Sequence, residues 1–265
     1  MAIIITVSNQ KGGVGKTTTS AALAAGIAAV GKRVLGVDLD PQGNLGFCLG
    51  LEPSGTATIL DALQGKVPVE KAVNRTDYCD ILASDISLSN GLGQTGANRR
   101  EHILKDTLAP IMDRYDYIII DTPPALNLLT VNAYAVSDFL IIPMATDIMS
   151  LVGLSQLKET IESVQSSLNP DLKVMGILLT RFNKRTLLAR DVLEMAEQLA
   201  VQMGTVVFET RIRNGVAIAE APAHGESIYD YSPRSAAVRD YGDFLKEIAG
   251  VIHLKEVGES VKEDE

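Results

Sequence analysis

Apolar residues recur along this chain in short continuous runs more often than in strict alternation with polar residues. Seven such runs predict β-strands, at residues 3–8, 33–38, 79–83, 117–121, 139–144, 173–180 and 205–210. Strands that are apolar on both sides are typical of a parallel sheet whose two faces are covered by helices.

Helical or turn-rich stretches separate these runs. We predict helices at residues 17–30, 56–63, 99–114, 128–136, 151–167, 187–203 and 233–252. In the last of them an apolar stripe faces the core, because apolar residues recur at helical spacing. The stripe consists of Val238, Tyr241, Leu245, Ile248 and Ile252. The alternation of strands and helices predicts an α/β fold, a doubly wound and mostly parallel sheet with helices on both faces.

Composition is that of a chain with a sizeable core, since 46% of its 265 residues are apolar. We expect one domain over residues 1–254, with a surface loop at residues 84–98 and an acidic, flexible tail at residues 255–265. Cys48 and Cys79 stand far apart, so a disulfide framework or a metal cluster is not expected. The apolar runs are strand-sized and no leader pattern opens the chain, so we expect a cytoplasmic protein.

A glycine-rich segment follows the first predicted strand. Residues 9–18 read Asn-Gln-Lys-Gly-Gly-Val-Gly-Lys-Thr-Thr and open an alanine-rich helix. Its glycines leave backbone N–H groups open to an anion, and the helix adds its positive N-terminal end. Lys16 is placed to reach the β- and γ-phosphates, and the Thr17 hydroxyl is placed to ligate magnesium. The order of strand, glycines, Gly-Lys-Thr and helix therefore predicts a P-loop that binds ATP or GTP, against a glycine-rich turn without a ligand.

Three aspartates follow predicted strands. Asp38 and Asp40 come at the end of the second strand, and Asp121 ends the strand at residues 117–121. The carboxyl ends of parallel strands share one edge of the sheet, so we expect these carboxylates beside the P-loop. Magnesium keeps several waters, so Asp38 and Asp121 are expected to hold it through water. Without the P-loop, Asp38 and Asp40 would be taken as turn or helix-cap residues.

A second lysine distinguishes this loop, since Lys11 precedes Lys16 by five residues. This is the deviant Walker A form. Together with residues 37–44, Val-Asp-Leu-Asp-Pro-Gln-Gly-Asn, it makes nearly the whole chain resemble the ParA/Soj partition ATPases of the ParA/MinD superfamily. The resemblance implies that Lys11 crosses a dimer interface to the partner's phosphates, and that Asp40 positions the attacking water. The implied catalytic residues are Lys11, Lys16 and Asp40; the alternative for Lys11 is a solvated loop lysine.

The resemblance also implies a function. Members of this family form ATP-dependent homodimers that hydrolyse ATP slowly with Mg2+, bind DNA nonspecifically, and are discharged by a ParB-like protein during chromosome or plasmid partition. We therefore expect a nucleoid-associated ATPase, with adenine held near residues 180–181 and 211–214. The expected nucleotide contacts are Lys11, Gly12, Gly13, Val14, Gly15, Lys16, Thr17, Thr18, Thr180 and Arg213.

The net charge of the chain limits where DNA could bind. The chain has 24 Lys and Arg against 33 Asp and Glu, a net charge of −9, so DNA contact requires a local basic face. Residues 181–190 hold four cations and no acid. The alternative is a solvated helix start. Soj-like members read Pro-Arg-Asn-Val-Arg-Leu where residues 213–218 here read Arg-Asn-Gly-Val-Ala-Ile, so Ala217 replaces the second arginine. The predicted DNA contacts are Arg181, Lys184, Arg185, Arg190 and Arg211.

The same sequence motifs are compatible with functions other than partition. A relative that positions another cellular cargo would carry the same motifs. A MinD-like membrane ATPase is less favoured, because residues 255–265 are acidic where a basic amphipathic anchor is needed, so no membrane partner is expected. An iron–sulfur carrier is set aside because Cys48 and Cys79 lack the required spacing.

Overall fold

The computed structural model describes residues 2–51, 57–91 and 100–254. Within these ranges one sheet has seven strands, in the order β3-β4-β2-β5-β1-β6-β7. Every neighbouring pair is parallel except β3 and β4, which pair antiparallel. The predicted mostly parallel sheet is confirmed. The strands are β1 (Ile3–Val7), β2 (Val34–Asp38), β3 (Val73–Arg75), β4 (Asp80–Leu82), β5 (Tyr117–Asp121), β6 (Phe139–Ala145) and β7 (Lys173–Thr180).

Helices connect the strands and cover the sheet. The longest, α8, follows β6 and runs for 20 residues. The helices of the described ranges are α1 (Lys16–Ala29), α2 (Asn44–Cys48), α3 (Ile59–Leu63), α4 (Val69–Ala72), α5 (Leu88–Gly91), α6 (Ile103–Leu108), α7 (Leu128–Val136), α8 (Ile148–Ser167), α9 (Leu187–Gln202), α10 (Val216–Glu220), α11 (Ile228–Tyr231) and α12 (Ala236–Ala249).

Successive strand residues divide between two hydrophobic cores. In β5, Ile118 and Ile120 join the core formed with α7, α8 and α9, whereas Tyr117 and Ile119 join the core formed with α1 and α12. This explains why the strands are apolar at consecutive positions, since each face of the sheet buries its own layer of helices. The predicted stripe of the last helix is confirmed: its members pack in or against the α1 side, and Ile252 is buried just beyond the end of α12.

Two predicted elements take a different form. Residues 205–210 do not form a strand, because their strand pairing consists of a single parallel bridge between Ile177 and Val207. The predicted helix at residues 99–114 is broken into a 3-10 turn at Arg100–His102, helix α6 and a 3-10 turn at Met112–Arg114. Pro110 follows α6, and a proline has no N–H to continue a helix.

Several elements were missed by the sequence reading. These are the antiparallel strand β3 and the short helices α2, α4, α10 and α11, none of which is long enough to show a clear period. Of the predicted loop at residues 84–98, α5 is helical and residues 92–98 lie outside the described residues, as does the predicted tail. In the described ranges, no helix combines the length and apolar character needed to cross a membrane.

Candidate nucleotide site

The P-loop connects β1 to α1 and is held in a left-handed conformation at two glycines. Gly13 has a φ of 72° and Gly15 a φ of 89°, a region that side-chain-bearing residues rarely adopt. Helix α1 begins at Lys16, so its first free N–H groups face the loop. The Thr180 hydroxyl donates a hydrogen bond to the carbonyl of Val14 at 2.8 Å, which ties the loop to the end of β7. The structure thus places the P-loop between the start of α1 and the end of β7.

Lys16 lies across this loop with only 6% of its surface exposed. Its Nζ donates to the backbone carbonyl of Lys11 at 3.1 Å. Burial lowers the pKa of Lys16, and the nearby carboxylates of Asp121 and Asp40 oppose that shift. A buried ammonium with so few fixed partners is suited to bind phosphate oxygens through charge-assisted hydrogen bonds.

Asp121 accepts hydrogen bonds from two hydroxyl groups of α1. The Thr17 hydroxyl donates to Oδ2 at 2.7 Å and the Ser20 hydroxyl donates to Oδ1 at 3.0 Å. Asp121 is fully buried, and that burial raises its pKa to about 6. Ser20 was not predicted; its position one helical turn after Lys16 is the signal that could have found it.

Asp38 is the register partner of Asp121 across β2 and β5. Its carboxylate oxygens accept hydrogen bonds from the backbone N–H groups of Asp40 and Leu45, each at an N–O distance of 2.9 Å, and so hold the start of α2. Burial and the charge of Asp121 raise the pKa of Asp38 well above its usual range. Two buried carboxylates thus stand side by side at the carboxyl edge of the sheet.

This group of oxygens fits magnesium. The Thr17 hydroxyl and the Asp38 and Asp121 carboxylates are hard donors of the kind the ion prefers, and two buried negative charges favour a divalent cation. Within the described ranges no three His, Cys, Asp or Glu side chains cluster as a closed protein cage would require. The structure therefore brings together the three residues predicted to hold magnesium, Thr17, Asp38 and Asp121.

Asp40 is buried at the rim of the site, with 8% of its surface exposed. Its Oδ1 accepts the N–H of Gln42 at 3.0 Å and its carbonyl accepts the N–H of Gly43 at 2.9 Å. Gly43 has a φ of 67°, and a Cβ there would lie 2.8 Å from the Ser84 carbonyl oxygen. This tight turn fixes the carboxylate of Asp40 relative to the P-loop.

Lys11 points away from its own loop. Its Nζ lies 2.5 Å from Asp147 and 3.3 Å from the Ser150 hydroxyl, both at the start of α8. One third of its side chain is exposed. Asp147 is the N-cap of α8 and also accepts the N–H of Ser150 at 2.9 Å. Sequence reasoning missed Asp147, although an Asp directly before a helix is a recognisable cap.

A cavity of about 240 Å³ adjoins the P-loop and gathers the residues predicted to hold adenine except Arg211, which lines a different cavity. Its Arg213 is fixed by Asp240, with Nη2 to Oδ1 at 2.5 Å and Nε to Oδ2 at 2.9 Å. Asp240 was also missed by the sequence reading, because its partner is remote in the chain. The cavity is lined by Val14, Gly15, Thr18, Thr180, Arg181, Ile212, Arg213, Asn214, Gly215, Ile218, Ala219 and Tyr241.

A second cavity, of about 620 Å³, gathers three of the predicted DNA contacts. Lys184 and Arg185 precede α9, and the guanidinium of Arg211 lies 5.5 Å from the centre of the Phe182 ring. Arg190 is exposed on the first turn of α9 but does not line this cavity. We call Lys184, Arg185, Arg190 and Arg211 the basic face. Arg181, predicted with them, lies at the P-loop.

The two cysteines offer no reactive thiol. Both are free, and burial raises the pKa of each to about 12. A thiol in this condition stays protonated and is a poor nucleophile or metal ligand. Cys48 and Cys79 thus pack as small side chains.

Known proteins resemble this chain over nearly its whole length. A family model described as AAA domain matches residues 2–174. The chain is 41% identical to chromosome partitioning protein ParA of Myxococcus xanthus over 242 residues, 90% of this chain and 84% of that protein. It is 41% identical to sporulation initiation inhibitor protein Soj of Bacillus subtilis over 253 residues, 94% of this chain and 99% of that protein. A Mycobacterium smegmatis crystal structure, described as cobyrinic acid a,c-diamide synthase with bound ADP and magnesium, matches with a TM-score of 0.81 at 34% identity, covering 97% of this chain and 96% of that one.

Proposed function

The chain belongs to the ParA/Soj family of partition ATPases, and we propose that it acts as an ATP-driven dimer switch in chromosome or plasmid partition. Two copies pair across two ATP molecules, the pair holds DNA, and hydrolysis releases it. The observation that carries the proposal is the position of Lys11, which is turned out of its own P-loop, partly exposed and held by Asp147. A lysine in that position is available to a nucleotide bound by a second copy.

Nucleotide binding in the proposal uses the buried groups at the carboxyl edge. Lys16 and the loop N–H groups would bind the phosphates, while Thr17, Asp38 and Asp121 would hold Mg2+, the two carboxylates through water. The ion supplies charge neutralisation of the β- and γ-phosphates when bound. Asp40 then orients the attacking water, and Lys11 of the second copy stabilises the negative charge that develops. This division of roles makes hydrolysis depend on dimerisation.

An exposed apolar group beside Lys11 supports the proposed dimer. Ile148, Met149 and Val152 follow Asp147 on the first turns of α8 and are between 52% and 67% exposed. Exposed apolar side chains gathered around an ion pair are typical of a surface that a partner covers. A second copy covering this surface would also give Lys11 phosphates to bind in place of Asp147.

DNA binding in the proposal uses the basic face. In the described part of the chain no acid forms an ion pair with Lys184, Arg185 or Arg190, so their charge is open to phosphate. A dimer presents two such faces to one duplex, which raises the effective concentration of the second contact. We propose that a ParB-like protein stimulates the slow hydrolysis and so ends DNA binding.

The dimer is tested by light scattering with Mg2+ and ATP or ADP. We expect the wild type to dimerise with ATP only, Lys11→Ala to stay monomeric while still binding ATP, and Asp40→Ala to accumulate as an ATP-bound dimer because hydrolysis is lost. Lys105→Ala, an exposed lysine of α6, is the matched control and should behave as wild type. If Lys11→Ala and Asp40→Ala had the same association state, the trans role of Lys11 would be wrong.

A further inference from the structure

Arg181 has an unusual backbone conformation. Its φ is 53°, in the left-handed region that glycine and, less often, asparagine and aspartate tolerate. In the described part of the chain, His253 is the one other non-glycine residue with positive φ. Such a conformation raises the free energy of the folded state and is retained where the surrounding structure imposes it, often at a ligand site.

Hydrogen bonds on both sides of Arg181 impose it. The Thr180 hydroxyl donates to Val14 at 2.8 Å, and the Thr180 carbonyl accepts from the Thr146 hydroxyl at 2.9 Å. The Phe182 N–H donates to the carbonyl of Ile212 at 3.0 Å. The chain is thus fixed to the P-loop just before Arg181 and to the segment after α9 just behind it.

The side chain of Arg181 lies over the P-loop. A Cβ placed on Gly13 would be 3.7 Å from Arg181 Nη2, and Arg181 also lines the cavity that contains Gly15 and Thr18. In the described ranges it forms no ion pair. Arg213 in the same cavity differs, because Asp240 already holds its guanidinium. Arg181 is therefore the cation of this cavity whose charge is not matched by a protein carboxylate.

We propose that Arg181 is a nucleotide-binding residue whose guanidinium binds the polyphosphate of a nucleoside di- or triphosphate held in the P-loop. The planar guanidinium carries several N–H donors that match phosphate oxygens. The strained backbone at position 181 is kept because it directs this group over Gly13 and not towards the basic face. The inference rests on the proposed function only in that the P-loop holds a nucleotide.

The test measures the affinity for a fluorescent ADP with Mg2+. ADP is chosen because the proposed dimer requires ATP, so failure of the dimer leaves this result readable. We expect Arg181→Gln and Arg181→Gly to weaken ADP binding about tenfold through loss of charge-assisted hydrogen bonds, and Arg181→Lys to recover part of that loss. Arg234→Gln, the same change at an exposed arginine that lines neither the cavity beside the P-loop nor the cavity of the basic face, is the control and should bind ADP as wild type does.

Thermal unfolding adds a readout that a purely structural role would not produce. Arg181→Gly removes the strain of positive φ together with the guanidinium. Its Tm without nucleotide should therefore equal or exceed that of the wild type, whereas the rise in Tm on adding ADP should shrink. Arg181→Gln keeps the backbone strain, so its Tm without nucleotide should not rise, but its increase in Tm on adding ADP should also be smaller than that of the wild type.

Two results would overturn the proposal. One is an ADP affinity within twofold of wild type in both Arg181→Gln and Arg181→Gly. The other is intact ADP affinity with loss of DNA binding, which would assign Arg181 to the basic face. A wild-type protein that bound no ADP would instead refute the nucleotide site itself, so the two failures are distinguishable.

Discussion

Lys16, Asp38 and Asp121 at the P-loop edge are buried and share hydrogen bonds, whereas Lys184, Arg185 and Arg190 of the basic face are exposed and form no ion pair with acids in the described part of the chain. Lys16, Asp38 and Asp121 each have fixed partners, and burial shifts their pKa values. Lys184, Arg185 and Arg190 lie in water. The first region is therefore organised before its ligand arrives, while Lys184, Arg185 and Arg190 offer charge without fixed geometry. Specific chemistry suits the first and sequence-independent attraction suits the second.

The largest effect should follow from removing the buried cation. Lys16→Ala deletes charge-assisted hydrogen bonds to the phosphates, so ATP affinity should fall about a thousandfold, roughly 4 kcal/mol. Equilibrium binding of a fluorescent ATP analogue measures this, and circular dichroism checks that the sheet persists. Lys66→Ala, an exposed lysine after α3, serves as control. Unchanged affinity in Lys16→Ala would remove the assignment of the P-loop.

A pH series tests the burial of Asp121. Its pKa is raised to about 6, so the folded protein binds a proton at Asp121 more tightly than the unfolded chain does, and the contribution of Asp121 to stability should fall as pH rises from about 4 to 6. Asp121→Asn removes this loss. Relative to wild type without nucleotide, the variant should gain stability on the order of 3 kcal/mol between pH 4 and pH 8. Denaturant unfolding at both pH values decides, and a pH-independent difference would contradict the prediction.

The basic face should lose binding without losing its fold. Arg185→Glu with Arg190→Glu should weaken ATP-dependent DNA binding about a hundredfold, and the slope of log affinity on log salt should fall by roughly 0.9 for each phosphate that the protein no longer neutralises. ATP-driven dimerisation should be unaffected. The double reversal Lys105→Glu with Lys173→Glu changes net charge equally and should retain binding. Gel shifts at rising salt distinguish the pairs; equal losses in both would mean that net charge alone matters.

The smallest effect concerns the ion pair of Lys11. Asp147→Asn keeps the N-cap of α8 but removes the charge that holds Lys11, so the ATP dimer should form at about threefold lower protein concentration, in line with the modest free energy of exposed ion pairs. Sedimentation with ATP measures the midpoint. A dimer weakened by this change would show that Asp147 contributes to the interface and does not compete with it.

The sequence predicts residues whose neighbours follow from their order along the chain, and it does not predict contacts between remote segments. The P-loop and the strand-end aspartates were recognised because their order along the chain specifies their neighbours, and the parallel sheet brings them to one edge. Asp147 and Asp240 were missed because each acts through a partner remote in the chain that no local pattern indicates. The predicted strand at residues 205–210 was wrong. A run of apolar and β-branched residues indicates only that a segment is compatible with a strand, whereas a strand forms only where neighbouring backbone groups pair, and this segment forms a single bridge with β7.

The outer strands of the sheet have a consequence for solubility. At one edge stands β3, only three residues long, ending in the exposed Arg75. At the other, the segment after α9 occupies β7: Ile177 donates to Val206 and accepts from Phe208, and Leu179 accepts from Ile212. A foreign strand would have to displace these bonds or join a short, charged neighbour, which is how natural sheets avoid edge-to-edge aggregation. In the described part of the chain, neither edge of the sheet therefore offers a long row of free N–H and C=O groups to another copy, which disfavours the joining of sheets into fibres.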